Sequence, residues 1–238
     1  MKKKPKTRIK ICGIRTSEEI ELAARYRADA VGFITEVPVE SPRNLDSGTA
    51  YSLVSEVPRC LDSVLVIMPE NSARGLELIE KVRPDIVQIH SKLPLSDLEL
   101  IKEKTNIPII KTLFIAERDE TSVEKVENST LVFDLLEQVS LLEETAVVDS
   151  ILLDTGKSGK PGGTGCVHDW TLSRRIVDET RLPIILAGGL KPENVQEAIK
   201  AVSPYAVDTA SGVEAFGKKD SLKIKSFIEE VRCANAFL

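Results

Sequence analysis

Several short apolar runs in this chain end on a residue able to carry a proton or a charge. Cys12 closes Ile9–Cys12, His90 follows Ile86–Ile89, Asp154 closes Ser150–Asp154, and Asp208 lies within Ala206–Thr209. A cysteine and an aspartate placed this way can serve as base and acid in a proton transfer, provided each pKa suits its role. Each also has an ordinary reading, the cysteine as a small buried apolar group and the aspartate as a turn cap. His90 reads as a packed or hydrogen-bonding strand-end histidine sooner than as a catalyst. Arg43, in Ser41-Pro42-Arg43, is always charged and can hold a carboxylate bidentately, or can be one more exposed arginine.

Glycine supplies a second kind of chemistry late in the chain. Leu182–Leu186 runs into Ala187-Gly188-Gly189-Leu190, and Ala206–Thr209 runs into Ala210-Ser211-Gly212-Val213. Glycine lets backbone approach an anion with no Cβ in the way, and amides beside a helix start can hold phosphate. One such loop alone reads as a tight turn; two in the last pair of units read as a phosphate site. A third cluster, Gly159 to Gly165, reads either as a mobile loop over the site or as a flexible connection.

These groups need a frame that brings them together. Eight β-branched runs recur: Ile9–Cys12, Ala30–Ile34, Ser63–Met68, Ile86–Ile89, Ile107–Ile115, Ser150–Asp154, Leu182–Leu186 and Ala206–Thr209. Most are continuously apolar, as in strands buried on both faces of a parallel sheet. The segments between them carry helix-start signals. Thr16/Glu19, Ser96/Glu99, Thr121/Glu124 and Ser211/Glu214 have capping-box spacing, and Pro192 suits a first helical position. Ser173–Thr180 and Leu222–Val231 have helical apolar spacing, and Leu131–Leu142 is apolar enough for an extended helix.

Eight units in one chain of 238 residues predict a single-domain α/β fold, the (β/α)8 TIM barrel. An open doubly wound sheet would want its glycine fingerprint after the first strand, where Cys12-Gly13-Ile14-Arg15 stands instead. Catalytic groups in a barrel come from the C-terminal ends of strands. By strand alternation Lys10 shares the side of Cys12. It is positioned either to favour the thiolate or to pair with a core carboxylate. Residues 1–7 read as a disordered basic start and 8–238 as the barrel.

The net charge of −5 excludes a basic field for nucleic acid, and no apolar run is long enough to span a bilayer. Cysteines 12, 60, 166 and 233 form no CxxC pair, and neither His90 nor His168 sits in a ligand-spaced cluster. Free thiols, no metal and a cytoplasmic location are therefore expected. His168 and Trp170 read as structural.

Taken in order, these motifs resemble the phosphoribosylanthranilate isomerases of tryptophan biosynthesis. The resemblance runs through Lys10-Ile11-Cys12-Gly13-Ile14, Ala30-Val31-Gly32-Phe33-Ile34, Ser41-Pro42-Arg43 and Val87-Gln88-Ile89-His90. It continues through Leu152-Leu153-Asp154-Thr155, Gly162-Gly163-Thr164-Gly165, Leu186-Ala187-Gly188-Gly189-Leu190, Val207-Asp208, Ser211-Gly212-Val213-Glu214 and Gly217-Lys218-Lys219-Asp220. It implies a TIM barrel that carries out an Amadori rearrangement of a phosphosugar, without metal or organic cofactor. Asp154 would be the general acid and Cys12 the general base. Arg43 would hold the anthranilate carboxylate, with His90 and Asp208 also binding substrate. Amides of Gly188, Gly189, Ser211 and Gly212 would hold the phosphate. The sequence leaves monomer or homodimer open.

Three features depart from the family pattern. Ser91 stands where glycine usually follows the histidine, His168-Asp169-Trp170 replaces Phe-Asp-Trp, and the stretch 117–147 is long. That stretch reads as an extra packing or association surface. A barrel isomerase of the histidine pathway would carry aspartate where Cys12 stands. Indoleglycerol-phosphate synthase would need lysine and glutamate catalysts not apparent here. An inactive phosphosugar-binding barrel, or a scaffold, is the rival of another class.

Overall fold

Runs of valine and isoleucine that must be shielded on both faces dictate the sheet. Strands β1 (Arg8–Cys12), β2 (Ala30–Ile34), β3 (Asp62–Ile67), β4 (Ile86–Ile89), β5 (Ile109–Ala116), β6 (Ser150–Gly156), β7 (Ile184–Leu186) and β8 (Ala206–Thr209) pair in chain order into a closed barrel. Every pairing around the ring is parallel. The computed structural model describes residues 6–116, 130–156 and 167–236. Outside the strands lie α1 (Ser17–Tyr26), α2 (Ser47–Ser55), α3 (Ser72–Val82), α4 (Leu95–Thr105), α5 (Thr130–Thr145), α6 (Trp170–Glu179), α7 (Val195–Val202) and α8 (Ser221–Ala236). The expected (β/α)8 barrel is the architecture found. Between β8 and α8 a 3-10 turn (Ser211–Val213) leads into a small hairpin, β9 (Glu214–Ala215) with β10 (Lys218–Lys219).

Strand alternation divides the apolar residues into two layers. Cys12, Val64, Val66, Leu152, Ile185 and Ala206 belong to an interior cluster. Ile11, Phe33, Ile67, Ile89, Ile151 and Val207 pack with helix residues in two outer clusters. In α5, Val132, Leu135, Val139 and Leu142 join the outer core while Phe133 is 69% exposed. That helix is therefore a packing element of the barrel wall.

The helix starts follow the sequence signals unevenly. Thr16 caps α1 by accepting from the Glu19 N–H at 3.4 Å, but the Glu19 carboxylate accepts from the Arg15 N–H at 2.7 Å, so the box is only half closed. Ser96 is not a cap: α4 begins one residue earlier, behind Pro94, whose φ of −57° already turns the chain. Ser211/Glu214 starts no α-helix; three residues of 3-10 turn lead to Glu214 in the hairpin, where its carboxylate is bound by Arg43 and Lys219. Pro192 lies in the turn ahead of α7, which begins at Val195. The α7 cap, Asn194, turns back to accept from the Lys191 N–H and to donate to the Gly189 carbonyl. Thr121/Glu124 and the Gly159–Gly165 cluster lie outside the described residues.

Register at the far end of the barrel is set by three aspartates that stand immediately before β2, β4 and β6. Asp29, Asp85 and Asp149 accept from the N–H groups of Ile9, Ser63 and Ile109 at 2.8, 2.9 and 2.7 Å. Asp29 and Asp149 also donate their own N–H to the Ile9 and Ile109 carbonyls, closing two-way clasps between neighbouring strands. Thr7 completes this end by donating to Asn235 in α8 and to the Pro204 carbonyl. Asp149→Ala is expected to lower unfolding stability by about 1–2 kcal/mol and to leave turnover intact. Urea unfolding together with a rate assay measures both, and unchanged stability would refute the clasp.

Candidate active site

The C-terminal ends of the strands surround a cavity of about 310 Å³. Each of the nine residues expected from sequence lines it: Cys12, Arg43, His90, Asp154, Gly188, Gly189, Asp208, Ser211 and Gly212. Closure of the ring does this, since β6 and β1 are separated only by β7 and β8.

On the β1–β8 side, parallel register sets Lys10 beside Asp208. Lys10 Nζ donates to Asp208 Oδ2 at 2.9 Å, and both side chains are buried. Burial would push the Lys10 ammonium down, but Asp208 and Cys12 hold it above its ordinary value. Gly32 on β2 clears the space for this group. A Cβ there would lie 2.8 Å from Cys12 Sγ and 3.1 Å from Lys10 Nζ, so thiol and ammonium share one spot. Lys10 thus pairs with a core carboxylate and also stands beside the thiol. The thiol nevertheless stays up: burial raises it and Asp208 adds to that, outweighing the Lys10 and Lys219 ammoniums. Asp208 Oδ1 is buried with no partner among the described residues, an open acceptor in the cavity wall.

Across the cavity, burial pushes the Asp154 carboxyl up to about 7, with Asp208 adding to the shift, although the Thr155 N–H donates to Oδ1 at 2.8 Å. His90 Nε2 stands 3.9 Å from Asp154 Oδ2, while His90 Nδ1 meets Thr112 Oγ1 at 3.1 Å. Burial, then the Lys10 and Lys111 charges, hold the imidazole at about 4, so it is neutral near pH 7. Its ring stands edge-on to Phe114, 5.0 Å between centroids.

The two glycine loops form the third wall. Gly188 has φ +84°, and a Cβ there would fall 2.1 Å from Thr155 Oγ1, so only glycine fits. Thr155 is itself held by His168 Nδ1 at 2.9 Å, and His168 Nε2 meets Ser173 Oγ at 2.7 Å. The ionisable ring at 168 is therefore a buried strut between β6 and α6, held at about 4 chiefly by burial. The amides of Ser211 and Gly212 open the 3-10 turn, where a helical turn leaves N–H groups unpaired.

Arg43 is engaged already. Its Nε and Nη2 donate to Glu214 Oε1 and Oε2 at 2.8 and 2.7 Å, and Lys219 Nζ donates to the same Oε1 at 2.8 Å. Burial would raise the Glu214 carboxyl, yet these two cations hold it at about 2. Glu214 and Lys219, which hold Arg43, are not among the residues expected from sequence, although both stand in motifs of the family resemblance. Nor is Lys111, which stands within an apolar run. Lys111 donates to the Ser91 and Thr112 carbonyls at 2.7 and 3.0 Å, tying the loop after His90 to β5, and burial pulls its ammonium down to about 8.

Known proteins resemble this chain in sequence and in fold. The family described as N-(5'-phosphoribosyl)anthranilate (PRA) isomerase matches residues 9–230. The chain belongs to that family. It is 69% identical to N-(5'-phosphoribosyl)anthranilate isomerase 1 of Methanosarcina mazei, with all of both chains aligned. Monomers generated from the dimeric phosphoribosylanthranilate isomerase of Thermotoga maritima match it at 32% identity, covering 95% of this chain and 99% of that one, with a TM-score of 0.76. A phosphoribosylanthranilate isomerase in complex with reduced 1-(o-carboxyphenylamino)-1-deoxyribulose 5-phosphate matches at 32% identity, with the same coverage and a TM-score of 0.74.

The chain is thus a phosphoribosylanthranilate isomerase by family, an enzyme of tryptophan biosynthesis on a TIM barrel. No helix among the described residues is long and apolar enough to cross a membrane. Of the cysteines, Cys12, Cys60 and Cys233 are free thiols, and Cys166 lies outside the described residues.

The raised Asp154 pKa has a consequence for folding. The unfolded carboxyl loses its proton near 3.8 and the folded one near 7, so stability falls as pH rises between those values. Between pH 5 and pH 8 the wild type should lose about 2–3 kcal/mol more than Asp154→Asn, read by urea unfolding at both pH values. Parallel losses in the two proteins would contradict the burial of this carboxyl.

Proposed function

We propose that the isomerase reaction, an Amadori rearrangement of N-(5′-phosphoribosyl)anthranilate to 1-(2-carboxyphenylamino)-1-deoxy-D-ribulose 5-phosphate, runs between Asp154 and Cys12. The observation that carries this assignment is their convergence on one cavity, with the glycine loops beside them. The amides of Gly188, Gly189, Ser211 and Gly212 hold the phosphate. Arg43 holds the anthranilate carboxylate. His90 contacts the substrate beside Asp154, and Asp208 accepts from the bridging amine or the sugar through its free Oδ1.

Asp154 gives its proton to the ribose ring oxygen; the C1–O bond breaks and the nitrogen lone pair forms a protonated imine. Its pKa of about 7 suits an acid that must be protonated near neutrality. The imine then draws electrons from C2 as Cys12 takes the C2 proton, giving a neutral enolamine that tautomerises to the ketone. A thiol pushed up by burial is a poor base in the resting site. The cationic imine, with Lys10 and Lys219, favours its thiolate at the step where it is needed. These proton transfers call for neither metal nor organic cofactor. The partner is the small phosphosugar alone, without nucleic acid or membrane. We place the enzyme in the cytoplasm as a monomer or homodimer.

The fluorescence of phosphoribosylanthranilate, formed in place from anthranilate and phosphoribosyl pyrophosphate, provides the test. Cys12→Ala and Asp154→Asn should each lower kcat by about 10²–10⁴ with little change in KM. A folded wild type without turnover would support the phosphosugar-binding barrel instead.

The pH profile follows from the order of the two groups. Because Cys12 titrates above Asp154, the reactive form, protonated Asp154 with Cys12 thiolate, grows with pH and levels off where Asp154 loses its proton. The kcat/KM should therefore rise to about pH 7, stay flat, and fall only as Cys12 titrates. A decline that begins at pH 7 would show that the two groups titrate in the opposite order.

A further inference from the structure

The hairpin that follows the phosphate turn carries Glu214, a charge that the acid–base steps do not use, and Lys219, whose ammonium also bears on Cys12. Arg43 has five N–H groups in a rigid fork. Glu214 takes the side edge, Nε–H and one Nη2–H, and leaves the end edge, one Nη1–H and the other Nη2–H, with the second Nη1–H beside Cδ. No hydrogen bond among the described residues involves Nη1. The arginine stem is held as well as the head. It crosses Gly13, whose φ is +76° and where a Cβ would lie 2.4 Å from Arg43 Cδ.

Glu214 is held in turn. Lys219, whose side chain is fully buried, donates to Glu214 Oε1 and to the Ala210 carbonyl, both at 2.8 Å. Ala210 immediately precedes the phosphate turn. The cluster of Arg43, Glu214 and Lys219 sums to one positive charge. That single charge is left to meet one carboxylate in a buried setting, where an unmatched charge is costly.

We propose that Glu214, braced by Lys219, is a positioning residue for specificity: it clamps Arg43 so that the end edge of the guanidinium is presented to the carboxylate on the substrate's aromatic ring. This rests on the assignment of Arg43 to that carboxylate. Without Glu214, the guanidinium is free to turn and must be ordered at each binding event, so the gain from gripping the carboxylate shrinks. Lys219 makes the same brace continuous with the phosphate loop, so both ends of the substrate are registered by one hairpin.

The experiment compares kcat/KM for N-(5′-phosphoribosyl)anthranilate with that for N-(5′-phosphoribosyl)aniline, which lacks the carboxylate. Wild type should prefer the first, and Arg43→Met should abolish the preference. Glu214→Gln, a near-isosteric change, should lower the preference about tenfold, with the loss mainly in KM. Lys219→Met should lower it in the same direction. A purely structural role for Glu214 would slow both substrates equally and leave the ratio intact, which would overturn the proposal. If Arg43→Met also left the ratio intact, the fault would lie with the assignment of Arg43 itself.

Discussion

The pairing of the first strand with the last is the constraint from which the rest of this structure follows. Closing β8 onto β1 in parallel register sets Lys10 opposite Asp208 inside the barrel, and their ion pair is buried. Interior positions at the strand ends then have one place to point, the mouth. Cys12, His90, Asp154 and Asp208 meet there although up to 196 residues separate them in the chain. A buried ion pair is weak evidence of stability because desolvation offsets the attraction. Here it places a cation against the thiol while leaving one oxygen of Asp208 open.

Opposed charges govern the cavity. Four ammonium or guanidinium groups, those of Lys10, Lys111, Lys219 and Arg43, lie buried or half-buried in or around it, in a protein whose net charge is −5. Local placement, and not overall charge, decides how an anionic substrate is received. The same cations explain a neutral His90, since burial and two nearby positive charges both disfavour a third. Asp154 shows the opposite balance: burial and Asp208 outweigh a single amide donor and the Lys10 charge, leaving a carboxyl that is about half protonated at neutral pH.

The loops are built so that structure and chemistry share the same atoms. Gly188 is seated on Thr155, Thr155 on His168, and His168 on Ser173. Asn194, placed to cap α7, instead donates to the Gly189 carbonyl. The glycine loop after β7 is thereby held from two sides, and backbone fixed in this way needs no further ordering to meet a ligand.

Much of this was legible in the sequence. Continuous β-branched runs at intervals of one βα unit pointed to strands buried on both faces, and eight of them, with no glycine fingerprint after the first, favoured a closed ring over an open sheet. Ala30–Ile34, Ile86–Ile89 and Ala206–Thr209 were readable to the residue because turn and polar residues bound them sharply. That Cys12, His90, Asp154 and Asp208 line one cavity was readable because a barrel directs strand ends to one mouth, whereas Arg43, in the loop after β2, was pointed to only by the family resemblance. Helix starts were less legible, as at Ser96 and Ser211, because cap spacing is local while a proline or a distant ion pair decides the outcome. What only the tertiary structure decided is which partner each charged group meets. Arg43 with Glu214, Lys10 with Asp208 and Asp29 with Ile9 are contacts between separate βα units, and no local pattern encodes a partner that closure of the barrel brings alongside.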